Sequence, residues 1–241
     1  QLVAKGSGFS GKHSDDFLMA NNAQWVGFSM EIGPEGGMYI LDWHDADICG
    51  SDVLNSETGR IFRGMPKNSL AENWKGRFDD LNKFSDADLA ALQTSKSEWH
   101  ARRARVILQS RAANGKISAD AVEKLNTLYQ SKDNADNRLR AMWALQVTGN
   151  LPKTTLTKAL ADADAHVRAW AIQFLCEDAQ PTEGVTSHFA QMASNDPSPV
   201  VRLYLASAMQ RLDIQSKWNI AKGLLAHAED AQDHNLPKMI W

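Results

Sequence analysis

Asp164-Ala-His-Val-Arg-Ala-Trp-Ala-Ile-Gln-Phe-Leu175 is the stretch that decides how the rest of this chain is interpreted. Its apolar residues fall at positions i, i+3, i+4, i+7 and i+8, namely Val167, Trp170, Ala171, Phe174 and Leu175. This spacing places them on one face of a helix with about 3.6 residues per turn. The stretch therefore predicts an amphipathic helix over 165–176.

Segments related to this helix occur on both sides of it, and each carries an arginine near its start. The marker arginines are Arg102, Arg140, Arg168 and Arg202, which recur at intervals of 28 to 38 residues. Self-similarity on this scale is typical of solenoids built from helical hairpins. We therefore expect a mainly α fold, an α-solenoid of helical hairpins.

Each marker arginine follows an acidic residue by a few positions; these acids are Glu98, Asp136, Asp164 and Asp196. A charge-assisted hydrogen bond from each guanidinium to the preceding turn or to the next repeat is the structural interpretation. A row of anion-binding sites is the alternative. The net charge of −3 provides no surplus of positive charge, which favours the structural role and argues against nucleic-acid binding.

Further amphipathic segments continue the helical pattern from residue 85. Ser85 and Asp88 form a capping-box pattern, and Asn114-Gly115 is expected to end a helix in the left-handed conformation. Predicted helices cover 98–112, 136–148, 165–176, 185–193, 199–212 and 215–228, and others begin near Ser118 and Pro152. The tryptophans at helical spacing, Trp99, Trp143, Trp170 and Trp218, are expected in the core.

Residues 25–63 have the pattern of β-strands instead. Trp25–Ile32 and Met38–Leu41 flank a Gly- and Pro-rich turn, and 59–63 reads as a third strand. Three strands are fewer than a stable isolated sheet needs, so we interpret them as part of a larger β structure, the last blade of a propeller.

The glycines of Gly6–Gly11 match the G-x-G-x-x-G pattern of dinucleotide-binding loops. That function requires a strand before the loop and a helix opening within it, and no amphipathic helix follows here. We therefore interpret the stretch as a glycine-rich loop. Because the chain starts at Gln1 and finishes on an apolar Met239-Ile240-Trp241, we expect it to be a piece of a longer protein.

Composition sets the remaining limits. A hydrophobic content of 43% is that of a globular protein. The sequence contains no run of about 18 apolar residues, which is the length that a helix needs to span a bilayer. Cys49 and Cys176 form no C-x-x-C pair and no C-x-x-C-H haem-attachment site, and we expect two buried, unpaired thiols rather than a disulfide.

Trp25–Arg63, with Gly-Pro-Glu-Gly-Gly-Met-Tyr-Ile-Leu-Asp-Trp and Thr-Gly-Arg-Ile-Phe-Arg, resembles the final propeller blade of a bacterial family. The family is that of the large PVC-type haem-binding, membrane-bound-dehydrogenase-like proteins. In it, a glucose/sorbosone-dehydrogenase-like propeller is followed by HEAT-type repeats and a c-type haem domain. The helical segments Leu139–Leu145 and His166–Ile172 also resemble that family's repeats.

The resemblance implies a division into a propeller segment at 1–64, a connector at 65–84 and HEAT-type repeats at 85–241. It implies a periplasmic or exported parent that oxidises a sugar or alcohol and carries c-type haem, and it leaves open a quinone. No cofactor is expected within this chain itself. Its expected partners are proteins: other domains of the parent, or a protein on the concave face of the repeats.

Asp42, His44, Asp45 and Asp47 form the densest cluster of metal-ligand side chains. Carboxylates suit Ca²⁺ or Mg²⁺, and histidine favours softer metals, but the spacing matches no known metal loop. A solvated loop that closes a blade is the preferred interpretation. Any metal or catalytic role in this segment would fall to Asp42 and His44.

Three functions remain open on the sequence alone. The first is a non-catalytic scaffold within the larger oxidoreductase. The second is a metal or catalytic site in the Asp42–Asp47 loop, and the third is a free-standing protein-binding repeat module.

Overall fold

The computed structural model describes residues 1–16, 18–20, 25–43, 58–65, 76–131, 134–177 and 181–241. The structure is mainly helical, with helices packed in pairs after small antiparallel β-sheets, which confirms the predicted fold class. By their contacts the residues form two compact units. One consists of Gln1–Ser14 with Tyr129–Trp241, and the other of Asp15–Leu128.

The helical bounds follow the predicted amphipathic segments closely. The helices are α1 Asp86–Ala91, α2 Glu98–Ala113, α3 Ala119–Gln130, α4 Ala135–Val147, α5 Lys153–Ala159, α6 Ala165–Leu175, α7 Glu183–Asn195, α8 Pro199–Ala208, α9 Ile214–Leu224 and α10 Leu236–Ile240. Short 3-10 turns lie at Leu81–Lys83, Leu92–Thr94, Met209–Arg211 and Ala228–Gln232.

Side-chain caps explain where several helices begin. The Ser85 hydroxyl accepts from the Asp88 N–H at 3.1 Å, as the capping-box pattern predicts. The Asp164 carboxylate accepts from the N–H groups of His166 and Val167 at 2.9 and 3.1 Å. Each cap satisfies backbone donors that have no partner inside the helix.

The ends of α2 and α4, which both carry a glycine, differ. Gly149 follows α4 with φ of 71°, and the Asn150 N–H bonds the Leu145 carbonyl at 2.8 Å, a left-handed cap. Helix α2 does end at Asn114-Gly115, but the left-handed conformation expected there is absent. Asn114 has φ of −97°, and Gly115 is not among the described glycines with positive φ. The Asn114 side-chain amide donates to the Ser110 carbonyl at 2.8 Å.

The three predicted strands are present as one antiparallel sheet. They are β3 Gly27–Ile32, β4 Met38–Asp42 and β5 Arg60–Gly64, with β4 in the middle. Met30 pairs with Ile40, and Ile40 with Phe62. Leu41 pairs with Ile61, so these two side chains lie on the opposite face of the sheet from Met30.

The glycine-rich loop predicted at the N-terminus is in fact a hairpin, of β1 Leu2–Lys5 and β2 Gly8–Gly11. Gly6 makes the tight turn possible because its φ of 56° lies in the left-handed region. The Gly6–Gly11 stretch is therefore a turn and a strand, and it lacks the strand-to-helix geometry that a dinucleotide site needs.

In the unit that contains residues 129–241, four helices form one row. Helices α4, α6, α8 and α10 pack successively, while α5 packs on α6 and α7 on α9. Val167, Ile172 and Leu205 are fully buried in the core of this unit. Trp143, Trp170 and Tyr204 pack partly buried against this core, with ring centroids of successive pairs 5.2 and 6.2 Å apart.

In the other unit, α1 packs on α2 and one arginine fastens the start of α1. Arg111 on α2 donates to the Asp86 carboxylate at 2.6 Å and to the carbonyls of Phe84 and Asn82. The second oxygen of Asp86 accepts from the Ser118 N–H at 2.8 Å, just before α3. One carboxylate thereby joins the beginnings of α1 and α3 to the end of α2.

The N-terminal hairpin is fastened to the start of α10 through Asp233. This carboxylate accepts from the N–H and the hydroxyl of Ser7, both at 2.7 Å, and from the N–H groups of Asn235 and Leu236 at 2.9 Å. Burial disfavours the charge, but these hydrogen bonds outweigh it and hold the pKa of Asp233 well below its usual range. A Cβ on Gly6 would overlap this carboxylate.

Asp233→Asn is expected to release the hairpin. The stabilising contribution of a carboxylate with a lowered pKa is present above the pKa it has in the unfolded chain, about 4, and is lost as the pH falls through the folded value. Amide hydrogen exchange over residues 1–11 should accelerate at least about tenfold in the variant at pH 7. Exposed Asp15→Asn is the matched control, and equal exchange in both variants would contradict this role of Asp233.

Candidate functional site

Three arginine–aspartate pairs link successive helices of the row α4, α6, α8 and α10. Arg138 pairs with Asp162. Arg168 donates to the two carboxylate oxygens of Asp196 through Nε and Nη2, both at 2.8 Å. Arg202 donates to Asp230 through the same two atoms, at 2.5 and 2.6 Å. We call these six residues the Arg–Asp ladder.

Two of the ladder arginines also bond the turn before their own helix, whereas Arg138 Nε donates to the Tyr129 carbonyl of α3 at 3.3 Å. Arg168 Nη1 donates to the Asp162 carbonyl at 2.8 Å, and Arg202 Nη1 donates to the Asp196 carbonyl at 2.9 Å. The carboxylate of Asp162, like that of Asp196, therefore accepts hydrogen bonds from one arginine, and the backbone carbonyl of the same residue accepts a hydrogen bond from the next arginine. The ladder is thus continuous from Arg138 to Asp230.

The arginines of the ladder occupy one position relative to the helix caps. Arg168 lies four residues after its cap Asp164, and Arg202 lies four residues after Ser198. Asp162 and Asp196 each lie two residues before these caps, whose N–H groups they accept at 2.9 Å. The sequence signal that would have identified Arg168 and Arg202 is therefore Asp-x-Asp/Ser-x-x-x-Arg.

Two of the four marker arginines belong to the ladder. Arg168 and Arg202 do, and both use the next repeat and the preceding turn as partners. Arg138 takes the equivalent position on α4, four residues after Asn134, so the Arg-Ala pattern around Arg140 selected the wrong register by two residues. Arg102 lies exposed on α2, in the other unit.

The ladder holds its charges in fixed ion pairs. Hydrogen bonds from Asp196 and Asp230 raise the pKa values of Arg168 and Arg202 above their ordinary value, although burial opposes this. The side chain of Arg202 is only 3% exposed, so its planar guanidinium is enclosed with its partner. A guanidinium bound in this way stabilises the packing of neighbouring helices. Its N–H groups are not available to bind an external anion.

Arg202→Met is expected to destabilise the folded chain by about 3 to 5 kcal/mol, because it leaves Asp230 buried without its counter-charge. The double variant Arg202→Met/Asp230→Leu should recover most of this loss. Urea unfolding followed by circular dichroism measures both. Arg102→Met is the exposed control, and a loss no larger than its own would show that the pair is not structural.

Asp42, the first metal-ligand candidate, is held by the sheet. Its carboxylate is fully buried, accepting from Arg60 Nε at 2.7 Å and from the Val26 N–H at 2.9 Å. This arrangement joins β4 and β5 to the residue before β3 and uses both carboxylate oxygens. His44, Asp45 and Asp47 lie outside the described residues. Among the residues that the structure does describe, no three His, Cys, Asp or Glu side chains form a cluster that could hold a metal ion.

Cys176, at the end of α6, is buried, and its thiol is free. Burial raises the pKa of this thiol to about 11, so it is fully protonated at neutral pH. The other cysteine, Cys49, lies outside the described residues.

In a Cys49→Ser variant, alkylation of Cys176 should be at least about 100-fold slower in the folded chain than in urea, because burial and a protonated thiol both prevent attack. Mass spectrometry after timed iodoacetamide treatment at pH 7.5 measures the two rates. Similar rates in the two states would show that the thiol is accessible.

The last long helix exposes an apolar stripe. Ile214, Trp218 and Leu225 are 74%, 66% and 71% exposed, and with Ala221 they follow the i, i+4, i+7, i+11 spacing of one helix face. We call these four residues the α9 stripe. The prediction that Trp218 belongs to the core is wrong, because α9 buries a different face, through Ile220 and Leu224.

Two grooves lie beside the stripe and share Trp218, Ala221, Ile240 and Trp241 in their walls. A groove of about 560 Å³ runs towards Leu225 and Ala231. A second, of about 400 Å³, runs towards Ile214 and Met209. Apolar grooves beside exposed aromatic residues are typical of protein-binding surfaces, because aromatic anchors fill such pockets.

No family model matches the chain, and no curated protein matches it. The resemblance to the dehydrogenase-like family therefore stays a prediction. Among the residues that the structure describes, no helix has the length and apolar character needed to cross a membrane.

Proposed function

We propose that this chain is a non-catalytic scaffold region of a larger, exported oxidoreductase that acts on a sugar or an alcohol. Its sheet contributes to the last blade of a propeller, and its helical stack presents a protein-binding surface. The activity proposed for the larger protein is inferred from the resemblance of Trp25–Arg63 and of the helical repeats to the PVC-type family.

The observation that carries the proposal is the composition of the three-stranded sheet. Met30 and Ile32, on one face, are 60% and 51% exposed, while Leu41 and Ile61, on the other, are 43% and 70% exposed. A sheet with one solvated face would expose mainly polar side chains there. Apolar side chains on both faces are typical of a blade that packs between two neighbouring sheets.

The helical stack supports a scaffold role in a different way. The Arg–Asp ladder uses its charged side chains to fasten one repeat to the next, and the α9 stripe leaves an apolar surface open. Solenoids of this kind characteristically use such surfaces to bind other proteins. The sequence contains no C-x-x-C-H, so a c-type haem of the parent would be attached outside these 241 residues.

Met30→Asp tests the blade assignment. In the full product of the encoding gene, neighbouring blades would bury this position, and a buried charge should lower the melting temperature by at least about 3 °C. In the 241-residue chain, where Met30 is exposed, the shift should stay within about 1 °C. Exposed Arg103→Asp is the control in both proteins, and equal small shifts in the two proteins would contradict the assignment.

An activity assay tests the scaffold role. We expect the full gene product to reduce an artificial electron acceptor with an aldose or an alcohol, and the 241-residue chain to show no turnover. Turnover by the 241-residue chain that is lost in His44→Ala would instead place a catalytic site in this segment.

A further inference from the structure

Helix α9 has apolar residues on two faces, and the covered face shows how another helix packs on it. Ile220 and Leu224 are buried where α9 packs on α7. Gly223 lets the two helices approach closely, since a Cβ there would lie 3.0 Å from the Cβ of Ala193. The α9 stripe on the other face has similar helical spacing, and three of its four residues, Ile214, Trp218 and Leu225, are exposed.

The length and spacing of the stripe match a helical partner. From Ile214 to Leu225 it extends about 16 Å along the axis, at about 1.5 Å per residue, which is three turns. The grooves on the two sides of Trp218 could receive side chains from two rows of a facing helix. An extended strand would instead need unpaired backbone groups, which a helix surface does not offer.

Basic side chains flank the stripe on both sides. At 100° per residue, Lys217 and Lys222 project about 70° to either side of its centre line. Lys238 on α10 lines the smaller groove together with Lys217. In the part of the chain that the structure describes, none of these three lysines is in an ion pair with a carboxylate of the chain.

We propose that the α9 stripe binds an amphipathic helix of a partner protein, with a three-turn apolar face bordered on both sides by carboxylates. The inference rests on the proposed function, because it names the partner chemistry of the scaffold's binding surface. The apolar contacts would supply most of the affinity, and the lysines would select an acidic partner over a basic one.

Two synthetic helical peptides of about 20 residues test the proposal. Both carry leucine or isoleucine at i, i+4, i+7 and i+11, and their flanking positions are glutamate in one and lysine in the other. Fluorescence anisotropy of the labelled peptides, titrated with the 241-residue chain at 0.1 M salt, should show at least about tenfold tighter binding of the glutamate peptide. The preference should weaken as the salt concentration rises.

Three variants assign the binding to the stripe. Trp218→Ser should weaken binding of the glutamate peptide at least about tenfold, because it removes the central apolar anchor. Lys217→Glu/Lys222→Glu should reverse the preference between the two peptides. Lys116→Glu/Lys124→Glu makes the same charge change on exposed positions of the other unit and should leave binding unchanged.

Several results would overturn the proposal. Equal affinity for both peptides, no binding of either, or unchanged binding to a folded Trp218→Ser variant would each do so. A concentration-dependent dimer that Trp218→Ser abolishes, seen by analytical ultracentrifugation, would show that the occupant is a second copy. None of these results alters the assays of the full gene product, so a failure here remains distinguishable from a failure of the proposed function.

Discussion

The bidentate ion pair between Arg202 and Asp230, with its equivalents along the stack, is the interaction on which the helical region depends. Arg168 and Arg202 each lie between the turn before their own helix and an aspartate 28 residues further along the chain, and Arg138 pairs with Asp162, 24 residues further along. A short hairpin has too little core to be stable alone, so the contacts between repeats must supply what each repeat lacks. The ladder fixes the register of those contacts because a planar guanidinium accepts few alternative geometries.

The sequence could predict the helices but not every rung. The 3.6-residue spacing around Trp170 and the cap at Ser85 are local features, and local features survive into the fold. The carboxylate partners of Arg168 and Arg202 lie 28 residues further along the chain. The sequence could therefore predict that each partner lies in the next repeat, but not which residue it is. The similarity of neighbouring residues favours Arg140 over Arg138, but distance from the cap determines where a guanidinium points, and Arg138 lies four residues after Asn134.

The candidate sites were harder to predict for the same reason. Asp42 looked like a metal ligand because it begins an acidic run, but Arg60 and the Val26 N–H, brought close by strand pairing, use its oxygens. Trp218 fits a core stripe by spacing alone, and a helix with two apolar faces cannot be assigned one buried face from its sequence. The open face of α9 and the apolar faces of the sheet are the features on which the proposed binding of other proteins or domains rests.

Native-state hydrogen exchange over α6 and α8 in increasing urea tests most directly whether the ladder makes these repeats one cooperative unit. We predict a single opening free energy for the buried amides of both helices, and a split into two lower values in Asp196→Asn, which removes the middle acceptor. Different opening free energies for α6 and α8 in the unaltered chain, unchanged by Asp196→Asn, would contradict this role of the ladder.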